Sequence, residues 1–488
     1  MALIEIFWLG FCSKTGMTKN SWFVLFLFFA ISGVSAQQLT LKKGTVLDSI
    51  PINEPGEGTF SLFLPTSFEV NKNWPVVTVL DLKGGGRKAL SMFTAAAEAE
   101  GFVLASPNTL SDTIPLSKNV EHLGTMLQKV LDILPVNKNR IYTAGFSSGA
   151  QFASLVPLFI KEVDGVLSIG ASLPNAELLS TKNRFHFVGM VAREEFSFRD
   201  LIQSKKILNQ LKFENQLLLF DSDNKLPEQS HLVRALRWLK LSDMAKGILP
   251  KDSVFIQKAF AQDNQKVNAL VKANTLLLAE QLMGEMHTVY RLHTNIDSLK
   301  EARKELRKQK DYRSQRRAQN AVFFKENLVR EDYQYYLEED VLTHNFNNLG
   351  WWNYQMGELN KFMNSSNRFE KQMGKRLMSY ANALVEDDIN SIEAEETIDE
   401  DALTFLWMLK TITEPAKPDY YLKVISISAK NEDYGTALFY LEELLKTGFK
   451  DKERLYSLEH TALFRITPDF NKTVSKYLAE ARYDVIKD

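Results

Sequence analysis

Short, nearly continuous apolar runs recur along residues 58–222, and most are followed by a stretch with helical spacing of apolar positions. The runs are rich in Val, Ile, Leu and Phe, which is typical of strands covered on both faces of a parallel sheet. Between them, apolar residues recur at i, i+3 and i+4, which predicts amphipathic helices. This half of the chain is therefore predicted to be a doubly wound, mostly parallel α/β sheet. The predicted strands are GTFSLFLPTSF (58–68), WPVVTVLDL (74–82), FVLASP (102–107), RIYTAGF (140–146), GVLSIGAS (165–172), RFHFVGMV (184–191) and NQLLLFDS (215–222).

The remainder of the chain, from about residue 250 to residue 488, carries helical spacing and no series of strands. The last helix of the first half ends near Gly247, and Pro250 follows it. Glycine favours a helix C-cap and proline does not continue a helix, so these residues mark a boundary. The sequence predicts an α/β domain at 37–249 that folds alone, followed by an all-helical domain at 250–488.

Residues 420–470 resemble one tetratricopeptide-type helix pair followed by a capping helix. No second copy is recognised at the expected period, so the resemblance is limited to this pair. A protein partner, if one binds, is expected to use the helical domain. The positions typical of such repeats are Tyr434, Gly435, Ala437 and Gly448.

The N-terminal segment has the organisation of a secretory signal peptide. Lys19 precedes an apolar run, and small residues end at Ala36. The apolar run is too short to span a bilayer comfortably. An uncleaved anchor that includes the apolar residues before Met17 is the alternative. We expect translation to start at Met17, cleavage of residues 1–36, no membrane span in the mature chain, and a secreted or periplasmic location.

Composition and charge exclude several classes of function. The 488-residue chain has a formal net charge of −1 and a pI near 6.7, so it has no global field that would attract nucleic acid or an anionic membrane. The basic run at 300–317 contains glutamates at helical spacing, which favours a solvated helix face over a nucleic-acid site. The one cysteine, Cys12, lies in the predicted signal segment, so the mature chain would hold neither a disulfide nor cysteine-ligated zinc.

Residues 145–149 read Gly-Phe-Ser-Ser-Gly and fit the motif Gly-x-Ser-x-Gly. The motif follows a predicted strand and precedes a predicted helix, which is the context of a nucleophile elbow. Glycine is needed at Gly145 and Gly149 because a Cβ would clash as the turn tightens. The sequence predicts that Ser147 is a nucleophile and that the N–H of Ser148 donates to an oxyanion. A chance match in an ordinary loop is the alternative.

A second source of oxyanion donors is the glycine-rich stretch LDLKGGGRKAL (80–90), which follows an earlier strand. Glycines allow the backbone to approach a substrate carbonyl closely. We expect the N–H groups of Lys83 and Gly84 to complete the oxyanion hole. The alternative is a glycine-rich turn that binds no ligand.

Residues 76–247 resemble the secreted polyhydroxybutyrate-depolymerase and feruloyl-esterase-like branch of the α/β-hydrolases, whose multidomain members carry a helical C-terminal extension. The resemblance covers somewhat under half of the chain. It implies an α/β-hydrolase fold and a Ser-acid-His triad that acts on carboxylic esters. The matching blocks are VVTVLDLKGGGRKALSMFTAAAEAEGFVLASPN (76–108), IYTAGFSSGAQFASL (141–155), VGMVAREEFSFRDL (188–201) and LLLFDSDNKLPEQSHLVRALRWL (217–239).

Two positions depart from this family pattern. The resemblance places Glu195 where the family has the acid of its triad, and a glutamate can still orient a histidine. It places Asn224 where the family has its histidine, and an asparagine amide can neither take nor return a proton near neutral pH. His231, in the predicted closing helix, is the candidate for a relocated base. His122 is expected on a flanking helix and His186 within a strand.

These residues favour two functions and leave a third open. The first is a secreted α/β-hydrolase-fold protein of serine-esterase type with a degenerate triad, which binds an ester or carbohydrate-linked ligand in its cleft with weak or no hydrolysis. The second is an active serine carboxylesterase in which Ser147 works with a relocated histidine. The third is a scaffold whose function lies in the helical half. No cofactor or metal is expected, because no histidine pair has the His-Glu-x-x-His type of ligand spacing.

Overall fold

The computed structural model describes residues 41–52, 58–222, 226–479 and 481–482. The predicted signal peptide at 1–36, with Cys12 and Met17, lies outside these residues, and so does Asn224. Contacts group the described residues from Lys43 onward into one compact unit. Among the described residues, no helix combines the length and the apolar character needed to cross a membrane.

The described part of the chain contains one eight-stranded sheet with the order β1-β2-β4-β3-β5-β6-β7-β8. The pairs β1/β2 and β2/β4 are antiparallel, and the pairs from β4 through β8 are parallel. Every residue of β3, β4 and β7 is buried, as expected of strands covered on both faces. The strands are β1 (Val46–Pro51), β2 (Thr59–Phe63), β3 (Trp74–Leu80), β4 (Val103–Pro107), β5 (Val136–Phe146), β6 (Val163–Ile169), β7 (His186–Ala192) and β8 (Asn215–Phe220).

Helices flank the sheet and then form the rest of the chain. The helices that follow individual strands are α1 (Gly86–Glu100), α2 (Leu116–Ile133), α3 (Ser148–Phe159), α4 (Phe198–Gln210) and α5 (Gln229–Ala245). The later ones are α6 (Ser253–Lys272), α7 (Leu276–Tyr290), α8 (Asp297–Lys308), α9 (Lys310–Thr343), α10 (Leu349–Met363), α11 (Arg368–Glu393), α12 (Glu400–Thr413), α13 (Pro418–Lys430), α14 (Tyr434–Lys446), α15 (Lys452–Tyr456), α16 (Ala462–Arg465) and α17 (Pro468–Leu478). The predicted fold class, a mostly parallel, doubly wound sheet of α/β-hydrolase type followed by an all-α part, is confirmed.

Two elements escape the sequence pattern. Strand β1 is largely exposed or half-buried, so its apolar positions do not alternate cleanly. Helix α1 begins at the third of three consecutive glycines, which sequence reasoning reads as a loop. It ends at Gly101, which has φ 76° and caps the helix in the left-handed conformation.

The sheet and the first helices of the second half share one apolar core. Buried residues of β8 and α5 belong to the same cluster as buried residues of α6, α7, α8 and the start of α9. A polar group reinforces this junction. The carboxylate of Asp263, fully buried on α6, accepts hydrogen bonds from Arg234 and Trp238 of α5 at 2.8 and 3.0 Å and from Tyr290 of α7 at 2.9 Å. The contacts therefore continue across the predicted boundary at residue 249.

Helix α7 also covers the edge of the sheet at β8. Gln281 donates from Nε2 to the backbone oxygen of Leu217, at 2.5 Å. Glu285, one turn further along α7, forms an ion pair with Lys205 of α4 at 2.8 Å. Side chains of α7 thus occupy a position that another strand would take.

Two further apolar clusters organise the remaining helices, one centred on α9 to α12 and one on α12 to α17. Helices α13 and α14 lie side by side. Ala437 is fully buried between helices, whereas Gly435 is exposed. Membership of a repeat family stays a prediction.

Candidate active site

Ser147 stands at a sharp turn between β5 and α3. Its backbone has φ 52° and ψ −122°, a conformation that residues with a Cβ rarely adopt. The backbone N–H of Ser147 donates to Ile169 O at the end of β6, at 2.9 Å, and Ser147 O accepts from Ala150 and Gln151 in α3. The side chain is exposed. This is the strand–turn–helix geometry in which a hydroxyl is raised above the carboxyl ends of parallel strands.

The two glycines of the motif are required by close backbone approaches. A Cβ at Gly145 would lie within 3.0 Å of the backbone of Gly149. A Cβ at Gly149 would lie within 3.0 Å of the backbone oxygen of Leu80 in β3. Both neighbours are main-chain atoms, so neither can move away without distorting the sheet.

Substituting Gly149 with alanine is expected to destabilise the protein by about 2–3 kcal/mol, because the new methyl group is forced against Leu80 O. Urea unfolding followed by circular dichroism measures the change. Gly124→Ala in α2 is the matched control, since nothing lies within 4 Å of its Cβ position and the same substitution in an open helix adds about 0.5–1 kcal/mol of stability. Equal stability of the two variants would contradict the elbow geometry.

The predicted oxyanion donors fall into two groups. Ser148 opens α3, and the first N–H groups of a helix have no intrahelical partner, so its N–H is available to donate a hydrogen bond to an anion. Lys83 N–H instead donates to the side chain of Asp81 at 3.1 Å, and Gly84 N–H donates to Asp81 O at 3.2 Å. The glycine-rich loop thus satisfies Lys83 and Gly84 internally. The role of all three residues as oxyanion donors stays a prediction.

The predicted acid, Glu195, lies in the turn after β7 and is 7% exposed. Its Oε1 accepts the N–H of Phe196 at 3.2 Å, and its backbone oxygen accepts the N–H of Phe198. Ser197 ties the same turn to β6 by donating to Gly170 O at 2.8 Å. Two hydrogen bonds of Glu195 thus lie within its own turn.

Arg193 comes directly after β7 and was not anticipated as a site residue. It is 1% exposed, and its Nε and Nη2 donate to the two carboxylate oxygens of Asp221, after β8, at 2.7 and 2.6 Å. Gln372 of α11 donates to Asp221 at 3.1 Å and to Glu194 at 3.0 Å. A side chain from the helical half thus joins the two segments in which the resemblance places the acid and the histidine.

Arg376, one turn further along α11, completes this junction. Its Nη1 donates to Arg193 O at 2.7 Å, and its other nitrogens form a bidentate ion pair with Glu326 of α9 at 2.8 and 2.5 Å. The side chains of Arg376 and Glu326 are 3% and 1% exposed. The carboxyl ends of β7 and β8 are consequently occupied by α9 and α11.

All seven histidines of the sequence lie within the described residues, and none forms a hydrogen bond with Ser147 Oγ. His122 contacts Thr109 O at 3.3 Å, and His186 is buried against Gln216 in neighbouring strands. His344 pairs with Asp399 at 2.9 Å in the helical half. The structure therefore brings no imidazole to the candidate nucleophile.

His231, the candidate for a relocated base, packs against β8. Its ring packs against Phe220 of β8 with centroids 5.0 Å apart, and it lines a separate cavity of about 190 Å³ with Arg234 and Lys266. Three strand spacings separate β5 from β8, which places their ends about 14 Å apart. Burial, together with the neighbouring cations, lowers the pKa of His231 from 6.5 to about 4. The geometry does not support His231 as the base.

The buried neutral state of His231 predicts acid sensitivity. Its folded pKa, about 4, lies below the unfolded value of 6.5, so the unfolded chain binds more protons between these values and stability falls as pH decreases from 6.5 to 4. The full effect is about 3 kcal/mol. His231→Leu is expected to flatten the pH dependence of urea unfolding in this window. The exposed His460→Asn is the control, and an unchanged slope in His231→Leu would refute the assignment.

Among the described residues, no cluster of three or more His, Cys, Asp or Glu side chains is arranged to hold a metal ion.

Comparison with known proteins gives structural neighbours and no family. No protein-family model matches the sequence, and no curated protein matches it. A ferulic acid esterase aligns at 16% identity over 40% of this chain and 96% of its own, with a TM-score of 0.32. Esterase B from Lactobacillus rhamnosis aligns at 12% identity over 47% of this chain and 96% of its own, with a TM-score of 0.34. An esterase from Rhizomucor miehei aligns at 12% identity over 41% of this chain and 85% of its own, with a TM-score of 0.34. These values are too low to assign the activity of any of these esterases to this chain.

Proposed function

We propose that this protein is an exported binding protein built on an α/β-hydrolase fold, with an incomplete serine-esterase triad. The observation that carries the proposal is the absence of a base at Ser147 among the described residues, which include every histidine of the sequence. A serine hydroxyl at its free pKa is a poor nucleophile without a neighbouring imidazole. The protein would then still bind a ligand at Ser147 and the nucleophile elbow but would not hydrolyse it.

The interface with the helical half supports the same proposal. An active triad needs an acid and a histidine that are free to meet the serine, after β7 and β8 in this fold. Here those two segments are joined to α11 through Gln372 and Arg376. A fixed interface of this kind stabilises the two halves against each other and leaves little room for a mobile catalytic loop.

The ligand we propose is a small ester or a carbohydrate-linked ester held above the carboxyl ends of β3 and β5, with a protein partner on the helical half as a second mode of binding. Export is supported by the signal-peptide pattern before Gln37. Neither mode needs a cofactor.

An active carboxylesterase is the second candidate. It is favoured by the strained backbone of Ser147, its exposed side chain and the unpartnered N–H expected at Ser148. Such strain is normally kept only where the surrounding fold enforces it. In this candidate the missing base would have to come from residues outside those described or from a rearranged histidine.

Reaction with a fluorophosphonate probe and hydrolysis of p-nitrophenyl butyrate separate the two candidates. We expect labelling of Ser147 to be slow and hydrolysis to lie at least about 10³-fold below that of an esterase with an intact triad, because loss of one triad member costs about 10⁴-fold or more. Ser147→Ala sets the background. A robust wild-type rate that Ser147→Ala abolishes would refute the binding proposal and establish the esterase, and loss of that rate in His231→Ala would identify the base.

A further inference from the structure

A cavity of about 530 Å³ runs along the edge of the sheet, away from Ser147, between β8, α4 and the helices α7 to α9. Its volume is within the range of sites that hold small organic ligands. One wall is apolar, with Leu217 and Leu219 of β8, Ile202 and Phe198 of α4, and Leu277 and Leu278 of α7. The lining also contains charged side chains from α4, α7, α8 and α9. The cavity is thus amphiphilic.

Positive charge exceeds negative charge around this cavity. Its cationic lining residues are Arg193, Lys205, Arg303, Arg307 and Arg316. Three carboxylates form ion pairs with these cations: Asp221, Glu280 and Glu285. Arg303 and Arg307 share one of these, Glu280, at 2.7 and 2.5 Å, and Arg316 pairs with none of the described residues. Five cations against three carboxylates leave an excess of two positive charges.

Arg193 supplies an unpartnered donor in the same cavity. Its Nε and Nη2 are bound to Asp221, but its Nη1 is buried and has no hydrogen-bond partner among the described residues. A buried guanidinium nitrogen without an acceptor is costly and normally has one in the working state of a protein. Since Arg193 lines the cavity, a ligand bound there can supply the acceptor that Nη1 lacks.

The outer face of the cavity is basic as well. A second cavity of about 440 Å³ shares His287, Arg303 and Arg307 with the first and is otherwise lined by Lys300, Lys304 and Lys308 with two apolar residues. These lysines pair with acidic residues of their own helix, in exposed pairs that contribute little to stability. Because each lysine is paired, these residues add hydrogen-bond donors beside the cavity but no net charge to the excess counted above.

We propose that this sheet-edge cavity binds an amphiphilic anion, with a carboxylate or phosphate head against the arginines and an aliphatic chain against Leu217, Leu219 and Ile202. The site is separate from Ser147 and does not depend on the fate of the triad. Arginine fits either head group because its planar fork donates two parallel hydrogen bonds to a carboxylate or a phosphate. The basic run at 300–317 therefore has a ligand-binding role in addition to forming a solvated helix face.

Titration calorimetry of the full chain with octanoate, octyl phosphate and octanol tests this proposal. The two anions are expected to bind and octanol, which has the same chain without the charge, to bind at least about tenfold more weakly. The preference between octanoate and octyl phosphate identifies the head group. Equal affinity for octanol and the anions, or no detectable binding of either anion, would overturn the proposal.

Variants locate the site without disturbing the fold. Arg316→Gln is expected to weaken binding of the preferred anion about tenfold, because it removes an exposed cation with no described ion-pair partner. Arg317→Gln, the next residue on α9 and outside the cavity lining, is the matched control and should bind as the wild type does. Ile202→Trp, which fills the apolar wall, should abolish binding. Identical binding by Arg316→Gln and Arg317→Gln would refute the assignment, whatever the ester assay on Ser147 reports.

Discussion

A fragment of residues 37–249, which the sequence predicts to fold alone, is expected instead to aggregate or to lack cooperative unfolding. The fragment removes α6 to α9, which share the apolar core of β8 and α5. It also removes Asp263, so that Arg234 and the indole N–H of Trp238, both buried, lose their acceptor. These side chains and the apolar faces of β8 and α5 would instead be exposed to water, which removes hydrophobic burial present in the full chain and favours association between fragments.

Size-exclusion chromatography and thermal unfolding of two fragments test this expectation. The fragment 37–343 keeps α6 to α9 and is the control, because it retains the shared core and Asp263. It should be more soluble than 37–249 and should unfold at a higher temperature. A monomeric 37–249 fragment with a sharp unfolding transition would show that the sheet forms an independent domain, as the sequence pattern predicts.

Glu326→Gln is expected to destabilise the full chain by about 3–5 kcal/mol. The substitution leaves the guanidinium of Arg376 buried without its bidentate carboxylate, and Arg199 lies within 4.0 Å of the same oxygen. Glutamine keeps the size of the side chain and part of its hydrogen bonding, so the lost stability reports the contribution of the negative charge. Arg376 also holds Arg193 O, so the carboxyl end of β7 should loosen together with α11.

Urea unfolding measures the effect, and hydrogen exchange at Arg193 and Phe196 reports whether the β7 turn loosens. The matched control is Glu358→Gln in the exposed pair Lys361–Glu358 of α10, where about 0–1 kcal/mol is expected. The double variant Glu326→Leu/Arg376→Met should recover most of the stability, because well-packed apolar residues often replace a buried ion pair without loss. If Glu326→Gln loses no more stability than Glu358→Gln, the Glu326–Arg376 pair is hydrated and not buried.

The sheet could be predicted because its strands are apolar throughout and separated by helices of regular spacing. The same local signals identify the elbow, since Gly145 and Gly149 flank the serine at the end of such a strand. Strand β1 could not be found in this way, because it lies at an edge and exposes much of its surface. Helix α1 was hidden because glycines at its start carry no helical signal.

The rest of the candidate site depends on contacts between residues far apart in the chain. Gln372 and Arg376 lie more than 150 residues after the β7 turn, and nothing in their local sequence marks them as partners of Glu194, Arg193 and Asp221. The sequence did contain one signal: three charged residues, Arg193-Glu194-Glu195, directly follow a fully buried strand. The boundary at residue 249 was drawn from local signals too, and Gly247 ends a helix without ending the shared apolar core, so the independence of 37–249 stays a prediction.

Helix α7, through Gln281, shields the edge strand β8 only after a long stretch of chain has been synthesised. Leu217 precedes Gln281 by 64 residues, so the ribosome completes the last strand well before it delivers the helix that shields it. During this interval the nascent sheet has an open side able to pair with a neighbouring chain on the same messenger. A translational pause between residue 222 and α7 would lengthen this exposure.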